Sequence, residues 1–443
     1  MRKLETFNPA TGERLAELNI TPSKEIQAMV GRAKKAQITW AKKSNRDRAD
    51  LIIKAYKEIK NRSKQMAEII HKEMGKIHEE AANEVESSIK RIPRIAEDVV
   101  DALKSEETND GVTRTISYWD PLGVCASITP WNFPMGMPQT LIIPSLIAGN
   151  TVLFKPSEEV PLVGIEYAQI LNKTLPEDVL QVVIGTGNQG RELVESDIQL
   201  ITFTGSQSTG KHILEQAAKE FKRVILELGG KDPLIILDDA DLENAAEFAA
   251  NNSFRNTGQV CVSTEKIFVM EGQKNEFIQK FIKHAAIVQV GSMINHSQKE
   301  HVLRQIEDAV SKGAKILFGN PKDTNGNKIN PVILMDVTPD MNIMVDETFG
   351  PVACIITVKN EDEAINLSNL GHYALGGVVF SSNLEHARNV ARRLEAGMVG
   401  INRRVGGASG SPWVGAKRSG YGYHGSVSGY RQFTQLRIVS ESA

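Results

Sequence analysis

The sequence predicts an α/β protein built from two parallel-sheet domains, entered through a helical segment, and three observations predict it. Short apolar runs alternate with amphipathic segments from Val124 onward, and a second such series begins near Asp232. The polar stretch from Pro22 to about Leu103 repeats its apolar residues every three or four positions. Strands alternating with helices imply parallel strands joined by crossover helices, whereas a spacing of three and four marks helices with one buried face.

Taken in order, AEIIHKEMGKIHEEAANEVESSIKRI belongs to three or four successive amphipathic helices. VTRTISYW (Val112 to Trp119) alternates in strand fashion after the turn-like TNDG, as one arm of a half-buried hairpin. VCASI, TVLF, LQVVI and LITF then read as strands between the helical segments TLIIPSLIAG, IEYAQILNKTL, RELVES and KHILEQAAKEF. LIIL, KIFVM, AKILFG, ACIITV and GVVF repeat the pattern with ENAAEFAANNSF and FIQKFIKHAA. The tail, Tyr430 to Ser440, alternates as one more strand beyond the glycine-rich SGYGYHGSVSG.

Among 443 residues, 52 Lys and Arg face 54 Asp and Glu, so the chain lacks the positive field that holds nucleic acid or an anionic membrane. Three cysteines make no disulfide framework and suit a reducing compartment. MRKLETFNPATGERL has no apolar core of a secretory or transit leader, and no run of about 18 apolar residues occurs, so a cytoplasmic protein is expected.

Two glycine loops follow strands and open helices, where backbone amides can meet a pyrophosphate. GTGNQG (Gly185 to Gly190) fits the dinucleotide fingerprint but lacks the acidic residue expected about 20 positions on; its alternative is a tight turn. FTGSQSTGKHIL places Gly205 and Gly210 around three hydroxyls, or is an ordinary helix cap. Cys125 and Cys354 lie in apolar strands and read as buried packing. Cys261, in the polar, glycine-bent NTGQVCVST, can present a thiol to a cleft. Glu227, between an apolar strand and two glycines, is placed to serve as a general base or to pair with a Lys or Arg. Asn132 in TPWNFP is either a rigid oxyanion donor or a turn residue bonding its own backbone. No HExxH, no CxxC and no GxSxG occurs, so neither a metal site nor a serine hydrolase is expected.

ITPWNFP, LFKPSE, FTGSQSTG, LELGGKDP, NTGQVC and ETFGPV, in that order, resemble the NAD(P)-dependent aldehyde dehydrogenase superfamily over essentially the whole chain. Within it, the short succinate-semialdehyde dehydrogenases are closest in look. The resemblance implies an oxidoreductase with a Rossmann-type cofactor domain, an α/β catalytic domain and a small β-hairpin oligomerisation element. The expected limits are 1–103 with 123–232, then 233–424, and 104–122 with 425–443. It makes Cys261 the nucleophile, Glu227 the base and Asn132 the oxyanion donor. Lys155, Ser157, Glu158, Gly205, Ser206, Leu228, Glu347 and Phe349 would bind NAD or NADP, with Ile128 and Trp131 lining the nicotinamide side. The second glycine loop then takes the diphosphate and GTGNQG becomes a structural turn.

The implied reaction oxidises an aldehyde to a carboxylic acid through a Cys261 thiohemiacetal and thioester. Arg255, six positions before Cys261, resembles the arginine that meets the carboxylate in succinate-semialdehyde enzymes; Arg404, with Arg403 beside it, would supply a second cation. Neutral aliphatic or aromatic aldehydes are the alternative substrates, and an acylating variant using coenzyme A or phosphate is the alternative reaction. The chain departs from its relatives at VQVGSMINHSQKEH, which looks shortened, and at SPWVGAKRSGYG, where PFGG is common and Trp413 and Val414 are bulkier. Glu158 would repel a 2′-phosphate and so favours NAD. An open hairpin edge predicts a homodimer or homotetramer.

Overall fold

In the computed structural model, which describes residues 2–443, four helices stand where the three-and-four spacing puts them: Ser23–Trp40, Asn45–Asn61, Ser63–Met74 and His78–Ala102. Ser44 starts the second by accepting from Asp47 N at 3.0 Å, while the Asp47 carboxylate accepts in return. The left-handed Gly75 ends the third. Ile52, Ile59, Ile70, Val85 and Ile92 are fully or almost fully buried, in one core with Ile142, Ile143 and Leu146 of the helix Gly136–Ile147.

The first alternating series forms a six-stranded sheet in the order Gly420–Tyr421, Arg223–Leu228, Leu200–Gly205, Val124–Ile128, Thr151–Lys155, Leu180–Val182. All pairings are parallel except that of Gly420–Tyr421 with Arg223–Leu228. Chain order runs outward from Val124–Ile128 on one side and resumes at Leu200–Gly205 on the other. A crevice therefore opens between the carboxyl ends of these two strands, the usual ligand position in such sheets.

The second series forms a seven-stranded sheet in the order Lys315–Phe318, Val332–Met335, Val352–Val358, Thr264–Met270, Asp232–Ile236, Gly376–Phe380, Met398–Ile401. Only its first pairing is antiparallel. A third sheet joins Glu106–Asn109 to Thr113–Pro121 and that strand to Thr434–Ser442, across long stretches of the chain.

Two details differ from expectation. The tail begins as a short helix, Val427–Arg431, and extends only from Thr434. Ser426 caps that helix, accepting from Gly429 N at 3.1 Å, and Gly429 lies so close to the His424 backbone that a Cβ there would meet it at 2.8–2.9 Å. An N-terminal hairpin, Lys3–Phe7 with Arg14–Asn19, was not expected; its mostly exposed residues offer no apolar alternation to read. Among the described residues no helix is long and apolar enough to cross a membrane.

Candidate active site

Cys261 sits between a single helical turn, Arg255–Gly258, and the strand Thr264–Met270, and is partly exposed. Cys125 and Cys354 lie inside strands at 0% and 1% exposure, as their apolar settings predict. Three consecutive residues ahead of the thiol are left-handed: Asn256 (φ 52°), Thr257 (φ 56°) and Gly258 (φ 68°). For a β-branched residue this costs on the order of 1–3 kcal/mol, so surrounding bonds must hold it. Asn256 N–H donates to Glu80 at 2.6 Å, and Asn256 Nδ2 donates to the carbonyls of Asn132 and Gln259, each at 3.1 Å. Gln259 is fully buried; its Nε2 donates to Asn256 O and Ser292 O, and its Oε1 accepts from Ile294 N.

Asn132, 4% exposed, donates from Nδ2 to Gln259 O at 3.0 Å. Its amide is thereby tied to the cysteine loop, not to its own backbone, and a second N–H remains on the same nitrogen. Glu227, near the end of the strand Arg223–Leu228, is 5% exposed. Its contact is neither Lys nor Arg but Nε2 of the equally buried His424. Gly230, just beyond this strand, passes so close to the Cys261 carbonyl oxygen that no side chain fits, which brings the glutamate strand beside the thiol. Burial pushes the Cys261 thiol above the usual range, the negative charges of Glu227, Glu347 and Asp232 push it further, and Arg255 pulls it back.

The crevice of the six-stranded sheet gathers the residues expected to bind a dinucleotide. Ile128 and Phe203 are register partners at its floor, with Trp131 and Gly205–Ser206 just beyond. Ser206 caps the twelve-residue helix Gln207–Ala218, its Oγ accepting from Thr209 N at 3.2 Å, and Ser206, Ser208 and Thr209 are exposed at that helix start. A Cβ on Gly210 would meet Leu228 at 2.6 Å, so the glycine lets the helix lie directly on the strand. Lys155 is buried with Nζ donating to Pro156 O at 3.2 Å and to Glu158 at 3.3 Å; Ser157 Oγ accepts from Glu159 N.

Glu347 Oε1 accepts from Gly230 N at 2.9 Å, and burial with the nearby Glu265 charge pushes its carboxyl up to about 8. Phe349, left-handed at φ 50°, meets Trp131 edge to face with ring centroids 5.3 Å apart. A helix start rimmed with hydroxyls, a Lys–Glu pair at a strand end and an acidic–aromatic loop fit the diphosphate, ribose and nicotinamide parts of a dinucleotide. GTGNQG is a capped turn in which Thr186 and Gln189 form a capping box, and its Gly190 faces Lys155 and Ile128.

Arg255 lies 5.7 Å from the centre of the Phe133 ring, with its buried Nε unpartnered and its guanidinium pulled down to about 10 by burial. It lines a cavity of about 540 Å³ together with Phe248, Phe380, Asn402 and the exposed Arg404. Cys261 is not in that lining. Trp413 and Val414 instead pack with Phe133 around Val260 and Val262, on either side of the thiol.

The sequence reading missed several residues that shape this site. Glu265 accepts from Thr348 N at 2.9 Å and Phe349 N at 3.1 Å, and pairs with the buried Lys231, which also donates to Thr348 Oγ1. Glu265, Lys231, Gln259 and His424 act across long sequence separations, where spacing carries no signal. Among the described residues no group of three or more His, Cys, Asp or Glu that could hold a metal occurs.

The family model for the aldehyde dehydrogenase family matches residues 1–439. The succinate-semialdehyde dehydrogenase [NADP(+)] of Deinococcus radiodurans is 33% identical, over 99% of this chain and 94% of its own length. The betaine aldehyde dehydrogenase of Rhizobium etli is 32% identical, over 98% and 93%. The crystal structure of succinate-semialdehyde dehydrogenase from Burkholderia pseudomallei superposes with a TM-score of 0.96 at 32% identity, covering 100% of this chain and 95% of that one. The chain belongs to the aldehyde dehydrogenase family, oxidoreductases that oxidise aldehydes with NAD or NADP.

Proposed function

We propose that this chain oxidises its aldehyde to the carboxylic acid with Cys261 as nucleophile, Glu227 as general base and Asn132 as oxyanion donor. The observation that carries this assignment is the tethering of the cysteine loop on two sides, through Gln259 O to Asn132 and against Gly230 beyond the Glu227 strand. The Cys261 thiolate bonds to the aldehyde carbon as the carbonyl π pair moves onto oxygen, and the free Asn132 N–H with the Cys261 amide stabilises the resulting oxyanion. A bound nicotinamide dinucleotide supplies uptake of the hydride whose departure leaves a Cys261 thioester. Glu227 then takes a proton from water, the water oxygen bonds to the acyl carbon, and the C–S bond breaks to release the acid and the thiolate.

Ile128, Trp131, Lys155, Ser157, Glu158, Gly205, Ser206, Leu228, Glu347 and Phe349 would hold the dinucleotide. Glu158, an acid beside Lys155, supports NAD over NADP, which a comparison of kcat/KM for the two tests. The expected outcome for Cys261→Ala is loss of all aldehyde-dependent NADH. Glu227→Gln should keep a stoichiometric NADH burst while steady-state turnover falls by about 100-fold or more. An unchanged burst in Cys261→Ala would refute the assignment. Acid release without coenzyme A or phosphate would distinguish hydrolysis from acyl transfer.

For the substrate we propose an acid-tailed aldehyde such as succinate semialdehyde. The half-buried Arg255, whose Nε is buried without a partner, supports it, as do the relatives whose names carry that substrate. Three unpaired cysteines, one of them reactive, support a cytoplasmic setting in which thiols stay reduced.

A further inference from the structure

His424 and Glu227 reach one another from distant parts of the chain. Gly420 is the register partner of Glu227, His424 is the register partner of Trp413, and the two short strands at Gly420–Tyr421 and Tyr423–His424 bring the imidazole beneath the carboxylate. Both side chains are more than nine-tenths buried, at 7% and 5% exposure. Nε2 of His424 lies against Oε1 of Glu227, and among the described residues neither carboxylate oxygen nor Nε2 makes a hydrogen bond. A buried carboxylate without any donor is costly, so a single donor beside it fixes its orientation.

The backbone around the histidine is fixed as well. Gly429 packs directly on the His424 backbone, and Gln432 Oε1 accepts from Tyr423 N at 3.2 Å. Among the described residues no Lys or Arg pairs with Glu227, and the His424 imidazole is the donor group that lies against it.

We propose that His424 is a positioning residue for the hydrolytic half of the reaction. It donates from Nε2 to Glu227, keeping the carboxylate aimed until water enters beside the acyl thiol. This inference rests on the roles of Cys261 and Glu227 proposed above. It assigns nothing to His424 in the formation of the Cys261 adduct, and so separates acylation from deacylation.

The test uses 4-nitrophenyl acetate, which acylates a reactive thiol without cofactor or natural substrate; the burst of nitrophenolate reads acylation and the later steady rate reads deacylation. His424→Asn shortens the side chain so that its amide falls short of Glu227, whereas His424→Gln places an N–H near the position of Nε2. The expected result for His424→Asn is an unchanged burst amplitude and a steady rate lower by roughly tenfold or more, the loss of one hydrogen bond to a charged group. His424→Gln should recover most of that loss.

Equal steady rates in wild type, His424→Asn and His424→Gln would overturn the inference, as would a loss confined to the burst. Equal losses in both variants would also overturn it, since a structural role needs no donor. If the wild type itself gives no burst that Cys261→Ala removes, the reading of Cys261 fails instead.

Discussion

Arg255 touches both the chemistry and the selectivity of the site. Its charge is the one that pulls the Cys261 thiol down, against burial and three carboxylates, and its unpartnered Nε is free to meet an anionic substrate tail. Arg255→Ala should therefore slow every aldehyde somewhat and an acid-tailed one much more. The ratio of kcat/KM for succinate semialdehyde to that for propanal checks this, and an unchanged ratio would remove the substrate assignment. Glu347 gives a second prediction. Its carboxyl is raised to about 8, so between the usual carboxyl range and pH 8 the folded state binds more protons than the unfolded one. That contribution is present at acid pH and is lost as the pH rises. Relative to wild type, Glu347→Gln should gain stability as the pH climbs from about 5 to about 8, read from urea midpoints at each pH. Cys261, Glu227 and Asn132 could be singled out in sequence, for the roles proposed, because each stands in a short motif. Gln259 beside Asn132 and His424 beside Glu227 could not be, because those contacts join segments far apart in the chain.

At the scale of elements, the left-handed turn Asn256–Gly258 sets the position of Cys261, the proposed nucleophile. A methyl on Gly258 would run into the Gly350 carbonyl oxygen while also opposing φ 68°, so both the turn and its contact with the Glu347–Phe349 loop require glycine. Gly258→Ala is expected to cost more than about 1 kcal/mol of stability and to lower activity, measured by urea unfolding and by steady-state rates. Polar, glycine-bent sequence indicated a loop here, but nothing in Asn256 or Thr257 announced left-handed backbone. Bonds from Glu80, Asn132 and Gln259 impose it. The strands and helices of both alternating series were legible because burial on both faces of a parallel strand leaves a continuous apolar run, as in Leu234, Ile235 and Ile236. The terminal segment shows the opposite case, where Ser426 and Gly429 convert an apparently alternating stretch into a short helix.

At the scale of the molecule, the strand Thr434–Ser442 pairs with Thr113–Pro121 along one edge and leaves its other edge open, with Leu436, Ile438 and Val439 exposed. Exposed apolar residues on an open edge strand suit pairing with a second copy of the chain, and we propose a homodimer or homotetramer on that ground. Removal of residues 436–443 should shift the light-scattering mass toward that of one chain; a full-length protein already of that mass would refute the proposal. We also propose that the six-stranded sheet carries the cofactor and the seven-stranded sheet the cysteine. The base belongs to the first sheet and the nucleophile leads into the second, so the active site lies where the two meet.

By itself the sequence determined the alternation of strands and helices and the family, and it singled out Cys261, Glu227 and Asn132 for the roles proposed, because periodicity and short motifs are local properties of a chain. Tertiary structure alone decided which groups stand behind them: the Asn132 tie to Gln259 O, the Glu265 support beneath Thr348 and Phe349, and the imidazole beneath Glu227. A buried polar group must find its partner wherever the fold brings one within reach, and that distance is a property of packing rather than of spacing along the chain.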